Sequence, residues 1–205
     1  DDGGASWKAL PTESVPAAMP EEGAFAASGT CITAQGNSVW FATGGGAARV
    51  FHSTDRGETW SVAATEVVSG EPAAGIFSLA FSNEKNGIAV GGNYKREADA
   101  SSNSAFTVDG GRTWKPVPGT RPAGYRSAAA YVPGTGGRAV IAVGPSGTDC
   151  SSDGGRTWVS LGHDGFDAIS FSKSGTAGWA AGEGGRIAKY AGGRCQAAGS
   201  SAQPK

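Results

Sequence analysis

The run Ser/Thr-x-Asp-x-Gly-x-Thr-Trp occurs three times in this chain: STDRGETW at 53–60, TVDGGRTW at 107–114 and SSDGGRTW at 151–158. A partial copy, DDGGASW, stands at residues 1–7. The tryptophans of the four copies, Trp7, Trp60, Trp114 and Trp158, are spaced by 53, 54 and 44 residues. A turn plus one aromatic recurring every roughly 40–50 residues marks a propeller or solenoid array, because no single repeat buries its apolar face alone.

The residue types of the box describe a hairpin turn. Asp55, Asp109 and Asp153, with Asp2 in the partial copy, are expected to accept hydrogen bonds from amides two residues on, as in an Asx turn. Gly57, Gly111 and Gly155 supply backbone angles that a side chain would forbid. Thr59, Thr113 and Thr157 complete the turn, and each tryptophan leaves it on an outgoing strand, able to bury on the order of 200 Å² between neighbouring sheets. These aspartates are structural staples rather than catalytic acids.

The segments around the boxes predict an all-β chain. An apolar strand following glycine is expected at 75–81 (GIFSLAF), 124–128 (GYRSA) and 165–171 (GFDAISF), with 23–28 (GAFAAS) as a degenerate copy. A second strand ends in glycine at 39–44, 88–91, 140–144 and 178–182. A third enters the box at 49–53 and 104–107, and a fourth leaves from the tryptophan. Short runs rich in Val, Ile, Phe and Trp between Gly, Pro and Asn turns are strand signals. No segment sustains a 3.6-residue period, so almost no helix is expected. The predicted architecture is a β-propeller of four-stranded antiparallel blades.

These boxes resemble the Asp-box (bacterial neuraminidase) repeats of sialidases, sortilin-type receptors, xyloglucanases and photosystem II assembly-factor-like propellers. The likeness is strongest to the last group, whose GWAxG…GRI pattern reappears as Gly178-Trp-Ala-Ala-Gly182 and Gly185-Arg-Ile187. It covers nearly all of residues 1–190. Members of that group resemble seven-bladed wheels, which implies that this chain is the C-terminal part of a longer propeller. Residues 1–20 would be the tail of one blade, followed by blades at about 21–66, 67–120, 121–162 and 163–191. The alternative is closure as a four-bladed ring, with residues 7–10 completing the last sheet; propellers of about four to eight blades are known. The resemblance further implies a periplasmic or extracellular location, a monomer when full length, and a role as binder or assembly factor.

Composition excludes some functions. The chain carries 17 Lys+Arg and 18 Asp+Glu with no cationic cluster, and nucleic-acid binding needs such a cluster to release counterions. No apolar run approaches the length of a membrane helix, about 18 residues. The three cysteines, Cys31, Cys150 and Cys195, have no metal-ligand spacing, so no metal or cofactor is expected. Cys31 and Cys150 read as small buried hydrophobes, with a Cys31–Cys195 disulfide as the alternative pairing. The Gly, Ala and Ser of residues 192–205 predict a flexible tail.

Function is expected on the rim opposite the boxes, where the connections between blades and between second and third strands lie. Phe25, Phe77, Arg126 and Asp167 hold the third position of the inner-strand pattern and should face one axis, bringing Arg126 and Asp167 together as an ion pair. Tyr125 neighbours them. The longest insertion, GNYKREADASSNS at 92–104, carries Tyr94, Lys95 and Arg96, residue types frequent at interfaces. The Phe/Tyr-Arg-Ile-Pro signature of sialidases is absent, and Arg126, Arg138 and Arg186 do not form a triad. A glycosidase needs two carboxyl groups about 5–10 Å apart; Asp167 with Glu183 or Asp164 is the pair the sequence offers. His52 and His163 fall in different parts of the repeat, and no G-x-S-x-G or H-E-x-x-H motif occurs. GEGG at 182–185 reads as a turn. The sequence therefore favours a non-catalytic propeller that binds a protein, small ligand or glycan, with a glycoside hydrolase as the second reading.

Overall fold

The computed structural model describes residues 3–26, 28–172, 175, 177–193 and 195. Its strands in chain order begin with β1 (Glu22–Gly23), β2 (Ile32–Gln35), β3 (Ser38–Ala42), β4 (Gly44–Gly45), β5 (Arg49–Ser53) and β6 (Ser61–Ala64). They continue through β7 (Glu71–Phe81), β8 (Gly87–Asn93), β9 (Ser104–Thr107) and β10 (Lys115–Pro116). Next come β11 (Ala128–Tyr131), β12 (Val140–Gly144), β13 (Gly147–Ser151) and β14 (Val159–Gly162), then β15 (Ala168–Phe171), β16 (Gly178–Gly182) and β17 (Arg186–Lys189). Among the described residues the only helical turns are two 3-10 turns, Thr12–Ser14 and Glu183–Gly185. The chain is all-β, as the missing 3.6-residue period predicts.

Every strand pair is antiparallel, and the sheets follow one another as the four blades of a propeller. The first is β2-β3-β5-β6, the second β7-β8-β9-β10, the third β11-β12-β13-β14 and the fourth β15-β16-β17. The short strands β4 and β1 extend the inner edge of the second sheet. This corrects one expectation. The innermost strand of the first blade is β2, not residues 23–28; Gly23 pairs with Gly44 instead. The inner strands of the last two blades also start late, at Ala128 and Ala168, so Arg126 and Asp167 precede their strands. Residues 7–10 form no strand and add nothing to the fourth sheet.

Three hydrophobic clusters hold successive blades together. Trp40, Ala42 and Val50 of the first blade pack on Ile76, Leu79, Phe81 and Trp114 of the second. Ile88, Val90 and Val117 of the second meet Ala129, Val140 and Trp158 of the third. Ile141, Val143 and Cys150 of the third meet Phe166, Ile169, Phe171 and Tyr190 at the fourth. The strands β7 and β8 are buried on both faces over most of their length, which is why their sequence is a near-continuous apolar run instead of an alternating one.

Each box works as the sequence implies, with one change in the partner of its aspartate. Thr59 donates to Asp55 from both its amide (2.9 Å) and its hydroxyl (2.5 Å), so the carboxylate reaches four residues on, not two. Ser53 Oγ donates to Asp55 and accepts from the Gly57 amide (2.8 Å). The second and third boxes repeat this through Thr107, Asp109, Gly111 and Thr113, and through Ser151, Asp153, Gly155 and Thr157. Gly57, Gly111 and Gly155 have φ of 92°, 85° and 93°. The Thr59 bonds, then Ser53, draw the Asp55 carboxyl down to about 2. At Asp109 and Asp153 burial raises the carboxyl, and the bonds from Thr113 and Thr157 outweigh it and lower both.

The tryptophans divide into two groups. Trp114 and Trp158 are buried against the preceding blade. Trp60 is half-buried and meets Phe41 of its own blade edge-on at 5.2 Å. Trp7 departs from the expectation: the residue is 92% exposed, although its indole donates to the Gly4 carbonyl (3.1 Å) as Trp60 and Trp158 donate to Gly57 and Gly155. Asp2 lies outside the described residues.

The cysteines also differ from expectation. Cys150 pairs with Cys195, at a Cα–Cα distance of 5.7 Å, and Cys31 is the free, buried thiol. Cys195 folds back onto Cys150 of the third blade, in the cluster that also holds Tyr190, whereas residues 194 and 196–205 of the expected flexible tail lie outside the described residues.

Candidate binding face

The rim opposite the boxes is built from the loop at 92–104, the connections between blades, and the turns β12–β13 and β16–β17. A β-bulge in β7 falls at Phe77, between Ile76 and Ser78, and such a bulge re-aims a side chain at a sheet edge. Phe77 stacks on Phe25 with centroids 3.8 Å apart and meets Tyr125 and Tyr94 edge-on at 4.8 and 6.1 Å. Phe25, misassigned to an inner strand, thus still reaches the ring of Phe77. Space for this stack exists because Gly44 lies beneath it: a Cβ there would stand 2.2 Å from the Phe25 ring. Phe77 and Tyr125 are buried, Phe25 is half-buried and Tyr94 is exposed.

Arg126 does not pair with Asp167. It is fully buried and donates to Asp149 of β13, through Nε at 2.6 Å, with further bonds to the Tyr125 carbonyl and Ser146. The sequence pattern missed Asp149 because it sits in the strand before the third box, where the sister strands carry Phe51 and Ala105. Burial raises the Asp149 carboxyl, against the pull of Arg126 and the Ala123 amide. Asp167 stands exposed on the rim, its carbonyl accepting from Ser127 Oγ (2.9 Å). Burial, then the charges of Asp167 and Glu97, raise the Tyr125 phenol.

The loop at 92–104 is held, not loose. Arg96 forms a two-pronged bond to Glu71 at 2.9 and 3.1 Å, and Asn93 adds a third contact to the same carboxylate. The Glu97 carbonyl accepts from the Tyr125 amide (2.8 Å), and Asn103 Nδ2 donates to the carbonyls of Pro122 and Gly124. Lys95 projects exposed from this frame, its amide tied to Asn93 Oδ1. Lys95 and Arg96 therefore part company: Arg96 anchors the loop and Lys95 is presented to solvent.

Beside the aromatic group, an open cleft of about 610 Å³ is lined by Pro145, His163, Gly165, Asp167, Glu183, Gly184 and Arg186. It brings together Asp167 and Glu183, the carboxylates singled out in the sequence; Asp164 is not among its lining residues. Arg186 donates to the Gly165 carbonyl (2.9 Å). His52 lies elsewhere, buried in β5 and stacked on Trp40 at 5.1 Å. Burial, then Arg112, lower its pKa. Among the described residues no cluster of three metal-ligating side chains occurs, and no helix is long and apolar enough to cross a membrane.

Comparison with known proteins agrees with this geometry. The family description "BNR/Asp-box repeat" matches residues 51–62. No curated protein sequence matches the chain. Among solved structures, YCF48 bound to D1 peptide superposes with a TM-score of 0.53 at 20% identity, covering 85% of this chain and 56% of that one. YCF48 from Cyanidioschyzon merolae gives 0.52 at 19% identity, with 91% and 56% covered. The Niastella koreensis GH74 enzyme gives 0.53 at 17% identity, with 75% and 26% covered. The chain spans little more than half of the YCF48 structures and about a quarter of the GH74 enzyme. At these identities the likeness is one of fold, shared by a peptide-bound protein and a GH74 enzyme. The chain carries Asp-box repeats on a four-blade β-propeller.

Proposed function

We propose that this propeller is a non-catalytic scaffold that binds a protein segment on its box-free rim, in an assembly- or stability-factor role. The observation that carries the reading is the pre-organised rim: Phe25, Phe77, Tyr94 and Tyr125 form one aromatic group, and the adjoining loop is fixed by Arg96–Glu71 and Asn103. Side chains already held in place lower the ordering cost of association. The fold likeness to a propeller solved with a bound peptide supports a peptide-like partner. The Cys150–Cys195 disulfide supports a site of action outside the reducing cytosol. Peptides selected by display on the full chain should lose about tenfold or more in affinity on Tyr94→Ala, because Tyr is a frequent anchor. Selected peptides that bind the Tyr94→Ala and Lys95→Ala proteins as tightly as the parent would defeat the reading.

A second reading, glycoside hydrolysis, rests on the shared cleft of Asp167 and Glu183. It predicts release of reducing sugar from xyloglucan oligosaccharides, abolished by Asp167→Asn or Glu183→Gln. Equal, background-level release by all three proteins eliminates it.

A further inference from the structure

The opposite rim holds a cleft that the binding face does not use. It lies between the second and third blades, has a volume of about 450 Å³, and is lined by Asn83, Tyr131, Gly136, Gly137, Arg138 and Arg156, among others. Two guanidiniums face it without a carboxylate partner among the described residues, for the ion pairs there involve Arg49, Arg96 and Arg126 only. Arg156 is held over the Phe106 ring at 5.2 Å and donates to the Asp153 carbonyl (2.8 Å). Arg138 is exposed, and the sole bond of its guanidinium among the described residues is a long one from Nε to the Thr135 carbonyl (3.3 Å).

The remaining wall supplies further donors beside the Phe106 and Tyr131 rings. Gly136 and Gly137 have consecutive positive φ of 64° and 74°, and their amides have no acceptor among the described residues. They are the central pair of a turn that the Arg138 amide closes on the Thr135 carbonyl (3.3 Å), and successive free amides in a turn can form an anion-binding concavity. Asn83 Oδ1 is occupied by the Lys85 and Asn86 amides and by Asn86 Nδ2, leaving its own amide group free to donate. The one carboxylate in the cleft, Asp153, is saturated by Ser151, the amides of Arg156 and Thr157, and the Thr157 hydroxyl. It is committed to its box. The sister junction differs: there the Glu84 carboxylate lies against Gly36, 2.5 Å from where a Cβ would stand.

We infer that the box-side cleft between the second and third blades binds a tetrahedral oxyanion, a phosphate or sulfate group, between Arg138, Arg156 and the Gly136–Gly137 amides. Paired guanidiniums and convergent N–H groups match such an anion in charge and in donor count. The group could be carried by a small soluble ester or by a lipid headgroup, and the two sources are separable.

The test is a titration of the full chain with inorganic phosphate and sulfate, followed by amide and arginine side-chain NMR. Shifts should concentrate at Gly136, Gly137 and the Arg156 guanidinium. Arg138→Glu should weaken binding about tenfold or more, whereas Arg138→Lys retains most of it as a point charge. Because Arg138 is exposed, the thermal midpoint should stay unchanged in both. Glu84→Gln, at the sister junction, should leave phosphate affinity as it was. Glycerol 3-phosphate binding without co-sedimentation on phosphatidic acid vesicles identifies a soluble ester; co-sedimentation lost in Arg138→Glu identifies the headgroup. Shifts scattered over the surface, or equal phosphate affinity in the parent and Arg138→Glu, overturn the inference.

Discussion

The junction between the second and third blades and that between the third and fourth meet the same packing demand with different parts. In the former, a box delivers Trp158 into the cluster around Ile88 and Val140. In the latter there is no box among the described residues. Tyr190 follows β17 and meets Phe171 edge-on, at 5.4 Å and 79°. Trp114 meets Phe81 in the same manner, at 6.0 Å and 87°. Phe81 and Phe171 end the inner strands of their blades, and each closes over a glycine, Gly87 or Gly178, where a Cβ would collide with the ring. Tyr190 therefore fills the place of a box tryptophan, and the Cys150–Cys195 bond secures a segment that has no aspartate-threonine turn to hold it. A covalent link and a hydrogen-bonded turn are interchangeable ways of fixing one aromatic ring over the preceding sheet.

The largest effect that tests this comparison is loss of the covalent link. Replacing both Cys150 and Cys195 by Ala should cost about 4 kcal/mol, given the sequence separation of 45 residues. The loss should be local: amide exchange should accelerate across 168–189 while β7–β9 keep their protection. Uniform acceleration in all blades would show that the fourth blade is not separately tethered. Tyr190→Ala should come next, at about 2 kcal/mol for a half-buried aromatic, with the same regional signature. Tyr190→Phe should be close to neutral, since the hydroxyl has no partner among the described residues.

Acid separates the two junctions in another way. The box aspartates have lowered pKa values in the folded chain. Their stabilisation is therefore complete above the unfolded value of about 3.9 and is lost as pH falls through the folded values. Exchange protection in the second and third blades should decline as pH falls below the unfolded carboxylate range of about 3.9. A disulfide carries no such proton linkage, so the fourth blade should change less over that window. A steeper decline in the fourth blade than in the boxed ones would refute the assignment.

The smallest effect lies within the first box. Arg56 has φ of 63°, where the sister boxes place Gly110 (79°) and Gly154 (78°). Arg56→Gly should relieve that left-handed strain and raise stability by about 0.5–1 kcal/mol, less the exposed bond from Arg56 to Asn37 Oδ1. A lowered melting point would mean that the Asn37 bond outweighs the strain.

What could be read from the residues follows from how local each signal is. The boxes were legible because Ser, Asp, Gly, Thr and Trp fall within eight positions and bond mainly to one another. The second and third strands were legible for the same reason, being apolar runs closed by glycine. The start of the first blade was not, since GAFAAS imitates an inner strand while its Gly23 pairs with Gly44 across a long loop. The partner of Arg126 was hidden because Asp149 is 23 residues away in a strand whose sister positions are apolar. The disulfide was misread for want of distances: Cys150 resembles a core residue until Tyr190 and Cys195 are seen folding onto it. On the candidate face, Phe25, Phe77, Tyr94 and Tyr125 were recognisable individually, but only the bulge at Phe77 joins them.

Trp40 of the first blade donates its indole N–H to the Gly110 carbonyl in the second box, at 2.8 Å, beneath the ring of Phe81. The second and third blades in turn lay Trp114 and Trp158 on the blade before them, so the array has a direction, like roof tiles lapped one way. Peeling it from the C-terminal end uncovers a tile's upper surface and leaves the rest seated. Lifting the first tile instead strips Trp114 of its bed and leaves the Gly110 carbonyl without its donor, so damage entering from that side should travel further along the row.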